Sequence, residues 1–203
     1  MCGRYEIVDG ARIFVRFGVA NATPEMLANL DVRPTQQVPA LLTDHELRLM
    51  KWGLVPSWAR DASVGAKMIN ARAEGIEQKP SFKRPLCSQR CLLPASAFFE
   101  WQGATTTKGA KTKYRIGRKD GEMFGLAGLY DVWKSPGGYE LTTCTIITCQ
   151  PNAVMAPIHN RMPVILLPDD EDAWLDPDMT EVERITSYLR PYPDALLEAV
   201  RAA

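Results

Sequence analysis

Proline and glycine interrupt this chain so often that long, unbroken elements are excluded over most of its length. The 203 residues include 15 prolines and 14 glycines. Proline lacks an amide donor and glycine favours turns, so the segments between them must be short and their connections tight. Several of these segments are rich in β-branched and aromatic residues, which is typical of strands. The pattern predicts a sheet-rich core.

The predicted strands cover most of the chain up to residue 167. Residues 4–8 are predicted as an edge strand, and residues 38–43 and 47–54 flank a turn at Asp44 and His45. Further strands are predicted at residues 90–94, 97–102, 114–117, 123–133, 139–148 and 162–167. The sequence Ser-Pro-Gly-Gly at residues 135–138 predicts a hairpin turn between two of them.

After Pro168 the pattern becomes helical. Helices are predicted at residues 169–175, 180–189 and 194–202, in addition to one near the start at residues 11–17. Because strands dominate the middle and helices the tail, the order does not match alternating βαβ units. The sequence therefore predicts an α+β fold with a mostly antiparallel sheet and a helical C-terminal tail. Its length fits one domain over residues 1–203.

Composition narrows the classes of function. The chain carries 24 basic and 24 acidic residues, so any nucleic-acid site must be a local basic patch. No apolar run is long enough to cross a bilayer, and no signal peptide is evident. Five cysteines, an odd number, fit free thiols in the cytoplasm. Their spacings and the two histidines do not match a zinc site, so no metal or cofactor is expected.

The second residue is a cysteine. If Met1 is removed, Cys2 carries a free α-amine and a thiol on adjacent carbons, and an aldehyde can condense with both to close a five-membered ring. Reference pKa values of about 8.5 for the thiol and about 7.7–8.0 for the amine leave both partly reactive at neutral pH. The alternative is an ordinary residue on a frayed terminus.

Four further polar residues, in three segments, lie in apolar, strand-like surroundings. Asn70 and Arg72 project from the same side of an extended segment, where arginine can clamp a phosphate and asparagine can orient a sugar oxygen. Glu100 lies among three aromatic residues, a setting that favours its protonated form and suits a proton shuttle. Strand alternation equally allows Glu100 to face solvent. His159 precedes an apolar strand and is either catalytic or structural.

The segment around Trp52 and Trp58 offers two large aromatic rings beside Lys51. Aromatic side chains on such a segment can stack on bases, which contributes about 1–3 kcal/mol per base. Core packing is the alternative for each ring.

Five motifs in this order resemble the SRAP family, the SOS-response-associated peptidase domain. They are MCGRY, WGLVPSW, INARAE, FFEW and HNRMPVIL, and they run from Cys2 to Leu166. The resemblance implies a barrel-like core flanked by helices. It also implies an abasic-site processing protein that binds single-stranded DNA and crosslinks to the abasic-site aldehyde through its N-terminal cysteine.

The resemblance also implies a role for each matched residue. Cys2 is the nucleophile, Asn70 orients the α-amine or the opened sugar, Glu100 is the general acid and base, and His159 protonates the sugar oxygen. The DNA-binding residues implied are Arg4, Arg33, Arg72 and Arg161 on phosphates and Trp52 on bases. Around Arg33 the chain departs from the family pattern, because Asp31 adds negative charge near the DNA path.

The expected product is a thiazolidine crosslink to an abasic site in single-stranded DNA, formed after Met1 is lost. A minor β-elimination (lyase) route through the imine is chemically open. The protein is expected to be a cytoplasmic monomer with no membrane contact and no obligate protein partner. Two alternatives stay open: a cysteine peptidase using Cys2 and His159, and a non-covalent binder of single-stranded DNA.

Overall fold

The structure, a computed structural model, describes residues 2–19, 29–103 and 111–202. These residues form twelve strands, four α-helices and three short 3₁₀ helices. The strands are β1 (Tyr5–Ile7), β2 (Asn29–Val32), β3 (Gln37–Leu41), β4 (Leu47–Trp52), β5 (Asn70–Arg72), β6 (Arg90–Ala95), β7 (Ala97–Gln102), β8 (Thr112–Arg118), β9 (Phe124–Lys134), β10 (Glu140–Cys149), β11 (Met162–Pro163) and β12 (Leu197–Arg201). The α-helices are α1 (Ala11–Phe17), α2 (Lys83–Ser88), α3 (Pro168–Leu175) and α4 (Val182–Ser187), and the 3₁₀ helices are Ala62–Lys67, Ile76–Gln78 and Asp194–Leu196.

The strands belong to two sheets. One has the order β12-β8-β7-β1-β2, and the other has the order β11-β10-β4-β3-β6-β9 with β5 beside β10. Because β9 also pairs with β10, strands β10, β4, β3, β6 and β9 form a closed circuit. Most pairings are antiparallel, and β10 is parallel to β4 and β5. The predicted α+β class with a mostly antiparallel, barrel-like core is confirmed.

Both sheets contribute to a shared hydrophobic core. The buried residues of this core include Tyr5, Phe98 and Ile116 from the first sheet and Met50, Leu92 and Ile146 from the second. Because each strand alternates its side chains, the opposite face of the first sheet is left to charged and aromatic residues that reach solvent.

Two glycines bring the loop after β4 against the segment that leads to β5. Gly53 has a φ of +132°, and a Cβ on it would lie 2.6 Å from the carbonyl oxygen of Gly65. Leu54 then donates its amide to the carbonyl of Met68 at 3.1 Å. No larger side chain fits at this crossing, which sets the start of β5 and therefore the position of Asn70.

Two local predictions were wrong. Residues 4–8 were predicted as an edge strand, but β1 lies between β7 and β2. Residues 194–202 were predicted as a helix, but Asp194–Leu196 is a short 3₁₀ helix and Leu197–Arg201 is strand β12 paired with β8. Burial of Leu197 and the hydrogen bonds of β8 override the local helix preference. The helices predicted after Pro168 are present as α3 and α4.

Candidate active site

Cys2 is anchored in the interior rather than at a frayed end. It is 1% exposed, and its carbonyl oxygen accepts a hydrogen bond from Nδ2 of Asn70 at 2.9 Å. Asn70 begins β5, which is held against β10 in parallel register with Ile146. The second residue of the chain is therefore fixed by the barrel-like sheet.

The Cys2 thiol is protonated at neutral pH. Its pKa is raised from 9.0 to about 12, mainly by burial and also by the negative charge of Glu100, while a hydrogen bond from the backbone of Arg4 acts in the opposite direction. The expectation of a partly ionised thiol came from the reference pKa, and it is wrong for the buried residue. Such a thiol needs a base to take its proton as it becomes a nucleophile.

Glu100 faces the interior, which settles the orientation that the sequence left open. It lies on β7 opposite Tyr114 of β8 and is 4% exposed. Alternation along β7 places Phe98 on the same inner side, and Phe99 and Trp101 on the outer side. The carboxylate is close enough to Cys2 for its charge to act on the thiol. Glu100 therefore acts on the thiol electrostatically, and its role as general acid and base stays a prediction.

The side chain of Asn70 offers a hydrogen-bond acceptor inside the site. Its Nδ2 is used by Cys2, whereas its Oδ1 is buried and has no hydrogen-bond partner in the described part of the chain. A buried acceptor left unpaired costs about 1–3 kcal/mol, so this oxygen favours a ligand that brings a donor. An amine or a sugar hydroxyl has such a donor.

His159 is oriented by its own turn. Nδ1 of His159 accepts the backbone N–H of Arg161 at 3.0 Å and also lies 3.2 Å from the carbonyl oxygen of Arg161. Nε2 of Gln102 donates to the carbonyl of Pro157 at 2.9 Å, which ties this turn to the end of β7. Since Gln102 follows Glu100 by two residues, the structure brings the His159 turn to the same end of β7.

Arg161 is engaged within the protein. Its Nη1 and Nη2 donate to the two carboxylate oxygens of Glu74 at 2.7 and 2.8 Å, and Nη2 also donates to the carbonyl of Thr148. The side chain is 9% exposed, and these hydrogen bonds lower the pKa of Glu74. A phosphate must share or displace Glu74 to reach Arg161, whose assignment to DNA stays a prediction.

The other three arginines of the sequence prediction are more accessible. Arg4 and Arg33 both donate to the carboxylate of Asp31, which lowers the pKa of that carboxyl. Asp31 was expected to add negative charge near the DNA path. In the structure its carboxylate neutralises part of the positive charge of Arg4 and Arg33. Arg72 is exposed beside a hollow of about 320 Å³, lined also by Asn70, Lys79, Pro80, Ser81 and Phe82.

Trp52 does not offer a face for a base. It is 0% exposed, its Nε1 donates to the carbonyl of Ile69 at 2.8 Å, and its ring centroid lies 5.3 Å from that of Tyr5. The predicted stacking role of Trp52 is therefore wrong. The ring packs in the core, and its hydrogen bond holds Ile69, the residue before Asn70. Trp58 on the same segment is 63% exposed.

The sequence analysis missed Trp101. It is half-buried on the outer side of β7, and the Cζ atom of Arg4 lies 5.9 Å from its ring centroid. The signal was present in the motif FFEW, because an inward Glu100 on a strand requires an outward Trp101.

The fold and the site define an α+β protein whose second residue is a buried cysteine, with its carbonyl held by an asparagine and its thiol within the electrostatic influence of a glutamate. The family model described as SOS response associated peptidase (SRAP) matches residues 1–203, and the chain belongs to that family.

Similar proteins cover the whole chain. It is 40% identical to the abasic site processing protein YoqW of Bacillus subtilis (strain 168), over 100% of this chain and 92% of that protein. It is 42% identical to the abasic site processing protein YoaM of the same organism, over 100% and 91%. A crystal structure of a Bacteroides thetaiotaomicron protein superposes with a TM-score of 0.91 at 29% identity, covering 100% of this chain and 92% of that one.

Two other kinds of site are absent from the described ranges. None of the helices there is long and apolar enough to cross a membrane. No group of three or more His, Cys, Asp or Glu side chains in those ranges could hold a metal ion.

Proposed function

We propose that this protein processes abasic sites in single-stranded DNA by forming a covalent thiazolidine through Cys2 after Met1 is removed. The observation that carries the proposal is the buried Cys2, whose carbonyl is held by Asn70 and whose thiol is influenced by the charge of Glu100. The names of the similar Bacillus subtilis proteins support the same substrate. We expect it to act as a cytoplasmic monomer without a cofactor.

The reaction joins one aldehyde to one aminothiol and releases one water. The α-amine of Cys2 adds to C1′ of the opened deoxyribose, and loss of water gives an imine. The sulfur then attacks the imine carbon, and the nitrogen receives a proton as the five-membered ring closes. An abasic nucleotide has no base to unstack, so its sugar enters the site at a low energetic cost.

The raised pKa of Cys2 supports a role for Glu100 in the central proton transfer. At neutral pH the thiol holds its proton, and Glu100 accepts that proton as the carbon–sulfur bond forms. Its conjugate acid then returns the proton to the imine nitrogen. General acid–base catalysis of this kind contributes about 10²–10⁴-fold.

The other residues open and position the sugar. Nε2 of His159 protonates the ring oxygen as the deoxyribose opens, and Oδ1 of Asn70 accepts a hydrogen bond from the α-amine. Phosphates around the lesion are bound by Arg4, Arg33 and Arg72. Arg161 also binds a phosphate once its ion pair with Glu74 is broken. Because Trp52 is buried, stacking on a neighbouring base passes to Trp101. Escape of the imine by β-elimination would give a minor lyase activity.

A denaturing gel tests the proposal. Wild-type protein incubated with single-stranded DNA carrying one abasic site should give a shifted band, and intact mass should show loss of Met1 and addition of the strand minus one water. Cys2→Ala should give no band, whereas Cys87→Ala, which changes a cysteine outside the site, should behave as wild type.

The alternatives give different results in the same experiment. An equal adduct from Cys2→Ala would end the proposal. Turnover of peptides by a protein whose α-amine is blocked would support a cysteine peptidase. Equal, salt-sensitive binding to intact and abasic strands with no adduct would support a non-covalent binder.

A further inference from the structure

The outer face of the five-stranded sheet carries a cluster of cations and aromatic rings. We call Arg4, Phe99, Trp101 and Lys113 the cation–aromatic face. Trp101 and Lys113 are directly paired across β7 and β8, and the carbonyl of Arg4 accepts the amide of Phe99 at 2.8 Å. The face therefore starts at Arg4, two residues from Cys2 and just before β1, and runs across the adjacent strands β7 and β8.

Two cations of this face lie against one ring. The ammonium nitrogen of Lys113 is 4.6 Å from the centroid of Phe99, and the Cζ atom of Arg4 is 5.6 Å from the same centroid. Each cation is attracted by the ring, and the two positive charges that share it repel each other. An anion bound by both cations would offset that repulsion.

Lys113 is the cation of this face that carries no acidic partner. Arg4 is paired with Asp31, and the neighbouring Arg115 is paired with Glu6. Lys113 forms no ion pair with any residue in the described ranges, and its only ring contact there is with Phe99. A positive charge held on an aromatic ring without a carboxylate is suited to a ligand that brings its own negative charge.

We propose that Lys113 binds a phosphate of the DNA strand next to the abasic sugar, together with Arg4. This inference rests on the proposed function, because it takes the sugar to be held at Cys2. A compact ammonium group binds a phosphate as a point charge and carries no sequence preference. Lys113 would therefore hold the strand in register without touching the reacting atoms.

The test separates binding from chemistry by using a tetrahydrofuran abasic analogue, which has no aldehyde. The affinity of the protein for a single strand that carries this analogue is measured by fluorescence anisotropy at several salt concentrations. Lys113→Gln should weaken binding several-fold at low salt and reduce the slope of log affinity against log salt by about 0.7, the value for one phosphate on a single strand. The control is Lys119→Gln, an exposed lysine just beyond the end of β8, which should leave both values unchanged.

A second measurement locates the phosphate. Neutral methylphosphonate linkages are introduced one at a time on either side of the analogue. For wild type one linkage near the analogue should weaken binding, and for Lys113→Gln the same linkage should cause no further loss. An unchanged salt slope for Lys113→Gln, or equal losses at every linkage in both proteins, would overturn the inference.

Failure of the proposed function would look different. Wild-type protein that binds the analogue but forms no adduct with a true abasic strand would remove the covalent chemistry. The salt slope of Lys113→Gln would still report on Lys113 in that case.

Discussion

The two faces of strand β7 contact different groups, although their residues alternate along one short sequence. Phe98 and Glu100 point to the core, where burial keeps the thiol of Cys2 protonated. Phe99 and Trp101 point outward, where Arg4 and Lys113 lie over the rings. The inner face therefore holds the groups proposed for chemistry, and the outer face holds those proposed for binding.

Replacing one glutamate on the inner face and one on the outer face should give the largest expected difference in the rate of adduct formation. Glu100→Gln should slow adduct formation by about 10²–10⁴-fold, because the amide cannot take the thiol proton. Glu6→Gln, on the outer side and paired with Arg115, should stay within a few-fold of wild type. Single-turnover rates on denaturing gels measure both. Equal slowing by the two variants would mean that the inner face has no special part in the chemistry.

The two tryptophans should separate stability from binding. Trp52→Ala removes a fully buried ring and should lower the free energy of unfolding by about 3–5 kcal/mol. Trp101→Ala should leave stability nearly unchanged and weaken single-strand binding by about 1–3 kcal/mol, the value of one stacked base. Urea denaturation and fluorescence anisotropy give the two quantities. A strand affinity unaffected by Trp101→Ala would argue against base stacking on the outer face.

The buried thiol should make stability depend on alkaline pH. Because the pKa of Cys2 is about 12 in the folded protein and 9.0 otherwise, its contribution is complete below pH 9 and is lost as the pH rises towards 12. Between pH 8 and pH 10 wild type should lose about 1.4 kcal/mol more than Cys2→Ala. The other buried thiols titrate in both proteins and cancel in the difference. Parallel pH profiles from denaturant titrations would show that Cys2 is not buried in solution.

The smallest effect is expected at Arg33. It is exposed and shares Asp31 with Arg4, so Arg33→Gln should leave the thermal midpoint unchanged. The variant should lower the salt slope of strand binding by about 0.7 if Arg33 touches one phosphate. An unchanged slope would restrict the phosphate contacts of the outer face to Arg4 and Lys113.

Much of the fold could be read from the sequence. Turn residues and alternation predicted most of the strands, and the change of pattern after Pro168 predicted helices α3 and α4. Residues 194–202 could not be assigned from local preference, because the partner strand β8 supplies the hydrogen bonds that make β12 a strand. The position of β1 inside its sheet is likewise a property of pairing between distant segments.

The candidate site shows the same limit. The motifs identified Cys2, Asn70, Glu100 and His159 as candidate site residues. Spacing along the chain does not show whether a side chain is buried. Trp52 and Trp101 illustrate this, because both belong to motifs and only their surroundings decide which one reaches solvent.

The sequence by itself determined the residue types available for chemistry, the strand-rich order and the position of Cys2 directly after Met1, since these depend only on covalent structure and local pattern. Only the tertiary structure decided that the thiol is buried and protonated, that Glu100 is buried and its charge acts on the thiol, and that Lys113 is left without an acidic partner among the described residues. The physical reason is that pKa values and charge compensation depend on which distant groups fold together, and on how much water they exclude.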